Sequence, residues 1–341
     1  MSAKGETVIT RLAGALIVLS FGLFAPPFVA HAQQAGKVPR VGVLHPGSSN
    51  EAATVQRDPF ERGLRELGWN PGSNILIDYR YGEGNPVRLA EQAADLVRSG
   101  VDLIVARSDT AVRAARRATA TIPIVMSAGT EILMAEGLVK SLSRPGGNIT
   151  GISVPLSDLD AKRLELLRDA FPGIRRVAVI TNPNFDAARY EEYMTALHAN
   201  ARSLKLQVES FPVRRADEVA DAFTALVRDK FDALMVRPDP FVLDHQRHEL
   251  AALAAKHRLP AIYPWRFFVD AGGLMSYNAS LSGFHHRAAT YVSRILKGEK
   301  PADLPIEQPT IFELVVNVAA ARAQGLTIPQ SVLFRADQLI Q

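Results

Sequence analysis

The sequence contains no cysteine among its 341 residues. Disulfides, thiolate zinc sites, iron–sulfur clusters and cysteine nucleophiles are therefore excluded. A strong charge of one sign is also missing, because 39 lysine and arginine residues face 35 acidic residues and are scattered without a basic block. The formal net charge of +4 is too small to indicate nucleic acid as a partner.

Long apolar runs are lacking except at the N-terminus, where Arg11 precedes an apolar run over residues 12–24. Two prolines and a small-x-small triplet ending at Ala32 follow. This order predicts a secretory signal peptide over residues 1–32, cleaved after Ala32. A membrane-spanning helix is the alternative, but the run is shorter than the roughly 20 residues that a bilayer core requires. The mature product is therefore expected to be free in the periplasm.

The length and composition are those of an ordinary globular protein. Hydrophobic residues make up 47% of the chain and charged residues 22%, which excludes a disordered tail, a collagen and a coiled coil. At roughly 150 residues per domain, the chain is long enough for two domains.

Short β-branched runs alternate with helical patterns of about 10 to 15 residues from Val38 onward, which is typical of parallel sheets covered on both faces. The first set of predicted strands covers residues 40–44, 75–80, 101–105 and 122–126. After a turn cluster at 144–148, a second set covers 176–181, 206–211, 233–236 and 260–263. The sequence therefore predicts an α/β fold with two doubly wound parallel-sheet lobes and a ligand cleft between them.

The C-terminal part of the chain is expected to cross from one lobe to the other and back. A long helix from about residue 281 to 296 fits the first lobe better than the second, and a strand at 311–316 would then cross back. The N-terminal lobe is thus predicted to contain residues 38–153 plus 278–306. The C-terminal lobe is predicted to contain residues 154–277 plus 307–341.

Candidate ligand contacts follow from this arrangement, because the crevice of an open parallel sheet lies beyond the carboxyl ends of its strands. Helix N-termini there supply unpaired N–H groups. The candidates are mostly polar or aromatic, which suits a small organic ligand with a carboxylate or amide end and an apolar body. They are His45, Ser108, Asp109, Thr110, Ser127, Gly129, Thr130, Asn182, Asp239, Tyr263 and Tyr277.

Structural roles are open for several of these candidates. The residues from Ser108 to Thr110 can cap a helix instead of touching ligand. Asp239 lies between two prolines and can form an Asx turn. Tyr263, Trp265 and Tyr277 could stack on a planar ligand, but aromatic rings at strand ends also close the core under a loop.

Signals for catalysis and metal binding are weak. Residues 245–249 contain two histidines and a glutamate, but not in a zinc-protease order, so a solvated helix face is the favoured interpretation. His285 and His286 are adjacent and would point to different sides of a helix. No nucleotide-binding loop or nucleophile elbow occurs at a strand-to-helix turn. We therefore predict no catalytic residue, no metal ligand, no cofactor and no enzyme activity; a periplasmic hydrolase is the enzyme alternative.

Several strings closely resemble those of the ABC-transporter substrate-binding proteins of the tryptophan/tyrosine type. They lie at residues 63–68, 122–126, 143–151, 162–167, 272–277 and 295–329, in order through essentially the whole mature chain. The resemblance implies a periplasmic binding protein of the ribose-binding-like type I fold, with two lobes joined by three hinge crossovers and no catalysis. It also implies an ABC permease as partner of a protein that we expect to be a monomer.

The sequence departs from this family in two crevice loops. Family members usually have a Gly-Thr-Pro type turn where this chain has Ser108, Asp109 and Thr110, and a Gly-Asp-Pro-Val type turn where it has residues 129–132. The ligand is therefore expected to be an amino acid or another aromatic or carboxylate-bearing metabolite. A soluble sensor that presents its ligand to a membrane receptor is the alternative function.

Overall fold

The computed structural model describes residues 37–49, 51–184, 190–239 and 242–341. The predicted signal peptide, residues 1–32 with its cleavage site after Ala32, lies outside the described residues. Among the helices within the described ranges, none combines the length and the apolar character needed to cross a membrane. Residues Val38–Gln341 form one compact unit that contains two β-sheets.

The first sheet has five parallel strands in the order β2-β1-β3-β4-β5. Its strands are β1 (Arg40–His45), β2 (Leu76–Tyr81), β3 (Leu103–Ala106), β4 (Ile124–Thr130) and β5 (Ile149–Val154). The helices within this part of the chain are α1 (Glu51–Glu66), α2 (Pro86–Arg98), α3 (Asp109–Ala118) and α4 (Ile132–Ala135).

Both faces of this sheet are covered, as the unbroken apolar runs predict. Alternate residues of β1 belong to different core clusters. Val41 and Val43 pack in one cluster with Phe60 of α1, whereas Leu44 packs in the other with Leu89 of α2. Residues at alternate positions of a strand face opposite sides, so each cluster fills one face of the sheet.

The second sheet has seven strands in the order β12-β11-β10-β9-β8-β6-β7. They are β6 (Arg176–Thr181), β7 (Gln207–Pro212), β8 (Ala233–Val236), β9 (Ala261–Tyr263), β10 (Met275–Ala279), β11 (Phe312–Asn317) and β12 (Gln338–Ile340). The remaining helices are α5 (Leu156–Ala170), α6 (Tyr190–Ser203), α7 (Val219–Arg228), α8 (Arg247–Lys256), α9 (Arg266–Asp270), α10 (Leu281–Leu296), α11 (Val318–Gln324) and α12 (Gln330–Leu333).

The chain passes between the two sheets three times. After β5, helix α5 packs against β8, β9 and β10. After β10, helix α10 packs against α1 and β4 of the first sheet. Glu307 then bonds to the backbone of β5 before β11 joins the second sheet. Helix α10 therefore lies with the first sheet, whereas the numbered lobe boundaries given above stay a prediction.

The predicted α/β class with two largely parallel sheets is confirmed. One pair differs from the all-parallel expectation, because β11 runs antiparallel to β10. Strand β5 and helix α5 lie outside the predicted pattern. Helix α8 begins at Arg247, so His245 lies just before the helix.

Candidate ligand-binding site

A cleft lies between the carboxyl ends of the two sheets and is walled by residues from both. The space between these walls, including the solvent-exposed mouth of the cleft, is about 960 Å³. On the first-sheet side it is lined by His45, Ser48, Arg107, Ser108, Asp109, Ala128 and Thr130. The crossings and α10 contribute Val154, Leu156, Asn278, Leu281 and His285, and the second-sheet side contributes Pro238, Asp244, His245, Trp265 and Phe267.

The end of β1 brings the two walls close together at Gly47. His45 Nδ1 accepts a hydrogen bond from Gly47 N at 2.9 Å. A Cβ atom on Gly47 would lie 3.1 Å from His45 Cε1 and 3.2 Å from His245 Nε2, closer than most real side-chain contacts. The missing side chain therefore leaves room for His245, from the second-sheet wall, to approach the end of β1.

The N-terminus of α3 forms the centre of the first-sheet wall. Ser108 Oγ accepts a hydrogen bond from Ala111 N at 3.2 Å, so Ser108 caps the helix while it also lines the cleft. Asp109 accepts bonds from Thr130 N at 2.8 Å and from Thr130 Oγ1 at 2.6 Å. Asp109 thus braces the end of β4. Asp109 and Thr130 still line the cleft. Thr110 bonds to Ser108 at 2.7 Å but does not itself line the cleft.

Ser127 and Gly129 shape the first-sheet wall from behind it. They lie where β4 bulges against β5, between Met126 and Gly129. Ser127 is fully buried, and a Cβ atom on Gly129 would lie 2.7 Å from Met126 Sδ. Neither residue lines the cleft. Their role in the structure is to let the bulge present Ala128 and Thr130.

Asp239 and Asn182 interact with each other behind the second-sheet wall. Asp239 Oδ2 accepts bonds from Asn182 Nδ2 at 2.9 Å, from Val242 N at 3.1 Å and from Leu243 N at 3.2 Å. Asp239 is 1% exposed and does not line the cleft. Asp239 therefore takes the turn-forming role that was the alternative to ligand contact. Asn182 lines a separate neighbouring cavity.

The two predicted tyrosines lie outside the cleft, and two other aromatic residues line it. Tyr263 is buried and stacks on Phe268 with ring centroids 5.0 Å apart. Tyr277 stacks on Phe312 at 5.9 Å. Trp265 and Phe267, which follow β9, supply the aromatic surface of the second-sheet wall.

The lining residues that were not among the predicted contacts include Arg107, Asp244, His245, Asn278 and His285. Arg107 directly follows β3, so its position in the sequence carried a signal. The prediction that His245 lies on a solvated helix face is wrong, because this residue precedes α8 and lines the cleft. Within the described ranges, no cluster of three or more histidine or acidic side chains is arranged to hold a metal ion.

Burial sets the charge states on the first-sheet wall. It lowers the pKa of Arg107 to about 10, with Tyr79 and Tyr81 opposing the shift, so the guanidinium remains charged at neutral pH. Burial also holds the pKa of His285 well below its usual value, and the nearby Arg107 and His45 add to this effect. His285 is therefore a neutral imidazole beside a fixed positive charge.

On the opposite wall, Asp244 is an unusual carboxyl group. Burial and the neighbouring Asp239 raise the pKa of Asp244 to about 8, although hydrogen bonds from Asp239 and from the Trp265 side chain oppose the shift. Asp244 Oδ1 is 3.5 Å from Asp239 N. Much of the Asp244 population therefore carries a proton at neutral pH.

The substitution Asp244→Asn should stabilise the protein at alkaline pH and leave it nearly unchanged near pH 4. Because the folded pKa lies above the unfolded one, the folded state holds the extra proton between about pH 4 and 8. The free energy of unfolding of the wild type therefore falls as the pH rises through that range. Asparagine does not titrate, so the variant does not undergo this loss. Thermal unfolding at pH 4.5, 6.5 and 8.5 should show a difference in Tm that grows to several degrees.

A suitable control for this prediction is Glu91→Gln, which removes an exposed carboxylate on α2. A difference in Tm between Asp244→Asn and wild type that stays flat from pH 4.5 to 8.5 would contradict the raised pKa.

Comparison with known proteins gives a consistent set of relatives. A family model described as ABC transporter substrate binding protein matches residues 41–340. The tyrosine-binding protein of Clostridioides difficile (strain R20291) is 29% identical over 264 residues, which are 77% of this chain and 74% of that protein. A conserved domain protein from Vibrio cholerae O1 biovar El Tor has a TM-score of 0.81 and 27% identity, covering 89% of this chain and 100% of that chain. An ABC domain from Streptococcus pneumoniae in complex with L-Trp has a TM-score of 0.80 and 27% identity, covering 89% and 99%.

Proposed function

Because the chain belongs to the family of ABC transporter substrate binding proteins, we propose that it captures a small organic ligand in the cleft between its two sheets and delivers it to an ABC permease. The observation that carries the proposal is a cleft that has Arg107 and Asp109 on its first-sheet wall and the rings of Trp265 and Phe267 on its second-sheet wall. Such a pairing suits a ligand with a charged end and a planar apolar body.

The ligand class is an amino acid or a related carboxylate, with an aromatic side chain favoured. The named relative binds tyrosine and the pneumococcal structure holds L-Trp, which supports this class for the present chain. Trp265 and Phe267 offer rings on which a planar side chain can stack. Asp109 and Arg107 supply opposite charges for a zwitterionic end.

Capture works through the three crossings between the sheets. A ligand that contacts both walls interacts more strongly with the closed arrangement than with an open one, so it shifts the population towards closure. The permease would then recognise the closed form. In this mechanism the ligand leaves the cleft chemically unaltered, and the protein acts without a cofactor.

The proposed setting is the periplasm. After cleavage behind Ala32, the mature chain would work there as a monomer, with lobes of residues 38–153 plus 278–306 and 154–277 plus 307–341. Its partners would be the small ligand and the permease in the inner membrane, and no nucleic acid takes part.

A thermal-shift screen of the purified mature chain tests the function directly. The ligands are L-tyrosine, L-tryptophan, L-phenylalanine, L-leucine, L-glutamate and the deaminated acids of the aromatic amino acids. At about 100 times Kd, binding adds about 2.7 kcal/mol to the free energy of unfolding, so an aromatic amino acid should raise Tm by several degrees. Failure of every ligand to shift Tm, or recovery of a chemically altered ligand, would overturn the proposal.

The variant Trp265→Ala should lose most of the ligand-induced shift, because it removes an aromatic face of the cleft. Its matched control is Ile311→Ala, since Ile311 is 79% exposed and does not line the cleft. An equal ligand-induced shift in Trp265→Ala and Ile311→Ala would place the ligand elsewhere.

A further inference from the structure

One buried polar side chain in the cleft finds no hydrogen-bond partner among the residues that the structure describes. His285 lies on α10, is 2% exposed and lines the cleft. Neither of its ring nitrogens has a hydrogen-bond partner in the described parts of the chain. Buried polar groups in folded proteins are nearly always paired, and an unpaired one costs stability. A polar group that lowers stability while it is unpaired, and that faces a binding cleft, is suited to form a hydrogen bond with a ligand.

The neighbours of His285 determine which ligand group can approach it. Arg107 and His45 lie close enough to act on the imidazole electrostatically. Arg107 has donors only. His45 Nδ1 accepts the bond from Gly47 N, so the ring N–H of His45 is at Nε2. This end of the cleft therefore presents N–H donors and a positive charge.

The acidic groups near this end are already engaged by the protein. Asp109 accepts two bonds from Thr130. Asp244 stands on the opposite wall, beside Asp239, Trp265 and His245. A ligand group placed against Arg107 and His285 thus meets donors from the first-sheet wall.

We propose that a carboxylate of the ligand binds against Arg107 and His285, and that His285 is a specificity-determining residue for acidic ligands. The inference rests on the proposed function and names the chemistry of its first-sheet subsite. His285 donates its N–H to one carboxylate oxygen, and Arg107 neutralises the negative charge. The apolar body of the ligand then extends towards Trp265 and Phe267.

A space-filling histidine is the competing explanation. The packing of α10 does not require the imidazole nitrogens, because Phe284, Ala288 and Ala289 supply its apolar contacts with the first sheet. On the exposed side of α10, His286 bonds to Glu66 of α1 at 2.6 Å. The orientation of the helix is therefore fixed by residues other than His285, and its ring can be changed without removing them.

The variant His285→Phe separates the two explanations. Phenylalanine keeps a ring of similar size and removes an unpaired polar group, so Tm of the ligand-free protein should stay the same or rise. By isothermal titration, Kd for L-tyrosine and L-tryptophan should rise about 10- to 100-fold, as expected for loss of a hydrogen bond to a charged group. The ligands tyramine and tryptamine, which lack the carboxylate, should show no such additional loss.

Two further variants complete the experiment. His285→Gln keeps an N–H donor and should recover part of the lost affinity, and His286→Ala on the exposed side of α10 should bind like wild type. Unchanged affinity of His285→Phe for L-tyrosine, or equal wild-type affinity for tyramine and L-tyrosine, would overturn the carboxylate subsite alone. If wild type binds none of the carboxylates, the proposed function and this subsite fail together.

Discussion

Gly151→Ala should lower the free energy of unfolding by about 3–5 kcal/mol, from the combined cost of a strained backbone and an overpacked strand pair. Gly151 has φ +127°, a conformation that L side chains rarely adopt. A Cβ atom there would lie 2.1 Å from Met126 O and 2.8 Å from Met126 N. Both obstacles are backbone atoms of β4, so no side-chain rotation relieves the clash.

The substitution should also disturb the cleft. The pairing of β4 with β5 shifts register between Met126 and Gly129, and the residues that follow Met126 include Ala128 and Thr130 of the first-sheet wall. Separating the strands at Gly151 would therefore move this wall. Ligand binding should weaken even at temperatures where the variant remains folded.

Chemical denaturation monitored by circular dichroism measures this effect. The matched control is Gly147→Ala, because Gly147 has an ordinary φ and nothing within 4 Å of the added Cβ atom. The control should differ from wild type by less than about 0.5 kcal/mol. Equal denaturation midpoints for Gly151→Ala and Gly147→Ala would show that β4 can move aside freely.

Arg163→Ala should cost about 3–5 kcal/mol, the typical effect of removing one partner of a buried ion pair. The Arg163 side chain is fully buried and pairs with Asp160, which is 1% exposed. Its Nε atom donates to Tyr277 O at 2.9 Å, near the end of β10 where the chain leaves for α10. Truncation thus leaves a cavity, a buried carboxylate with one cation fewer, and a carbonyl that has lost a donor.

The surrounding groups lessen this cost without removing it. Asp160 also accepts a bond from Tyr193 Oη at 2.6 Å and lies 3.4 Å from Arg237 Nε. The Arg237 guanidinium covers the Tyr193 ring, with Cζ 3.1 Å from the ring centroid. These contacts keep one positive charge near Asp160, so the expected loss is no larger than that of an ordinary buried pair.

Urea denaturation of Arg163→Ala and of its neighbour Lys162→Ala provides the comparison. Lys162 pairs with Glu165 at 2.8 Å, but both side chains are 35% exposed, and exposed pairs contribute only about 0–1 kcal/mol. A loss in Arg163→Ala no greater than that in Lys162→Ala would mean that the buried pair makes no net contribution to stability.

The positions at strand ends were the part of the site that the sequence could predict. His45, Ser108, Asp109 and Thr130 all line the cleft, because parallel strands end at the same edge of a sheet and the residues after them meet there. The same rule does not distinguish a side chain that faces the cleft from one that braces it. Asp239 illustrates this limit, since its carboxylate is used by backbone N–H groups of the following turn.

Residues on helices near the cleft could not be placed from the sequence. The position of His285 depends on which side of α10 meets the first sheet, and that contact joins parts of the chain far apart in sequence. Strand β5 was missed for a local reason, because Gly151 and the preceding glycine-rich turn suggest a loop. Only the neighbouring strand reveals that this glycine permits close pairing at Met126.

The late position of α10 has a consequence for biosynthesis. Helix α10 covers the side of the first sheet that contains Val41, Val43 and α1, yet it follows β5 by roughly 130 residues. At about 5–20 residues per second, a ribosome supplies it on the order of ten seconds after β5. During that interval the nascent chain exposes an apolar surface that it cannot yet bury. We therefore expect chaperones that hold unfolded chains to bind it before translation ends.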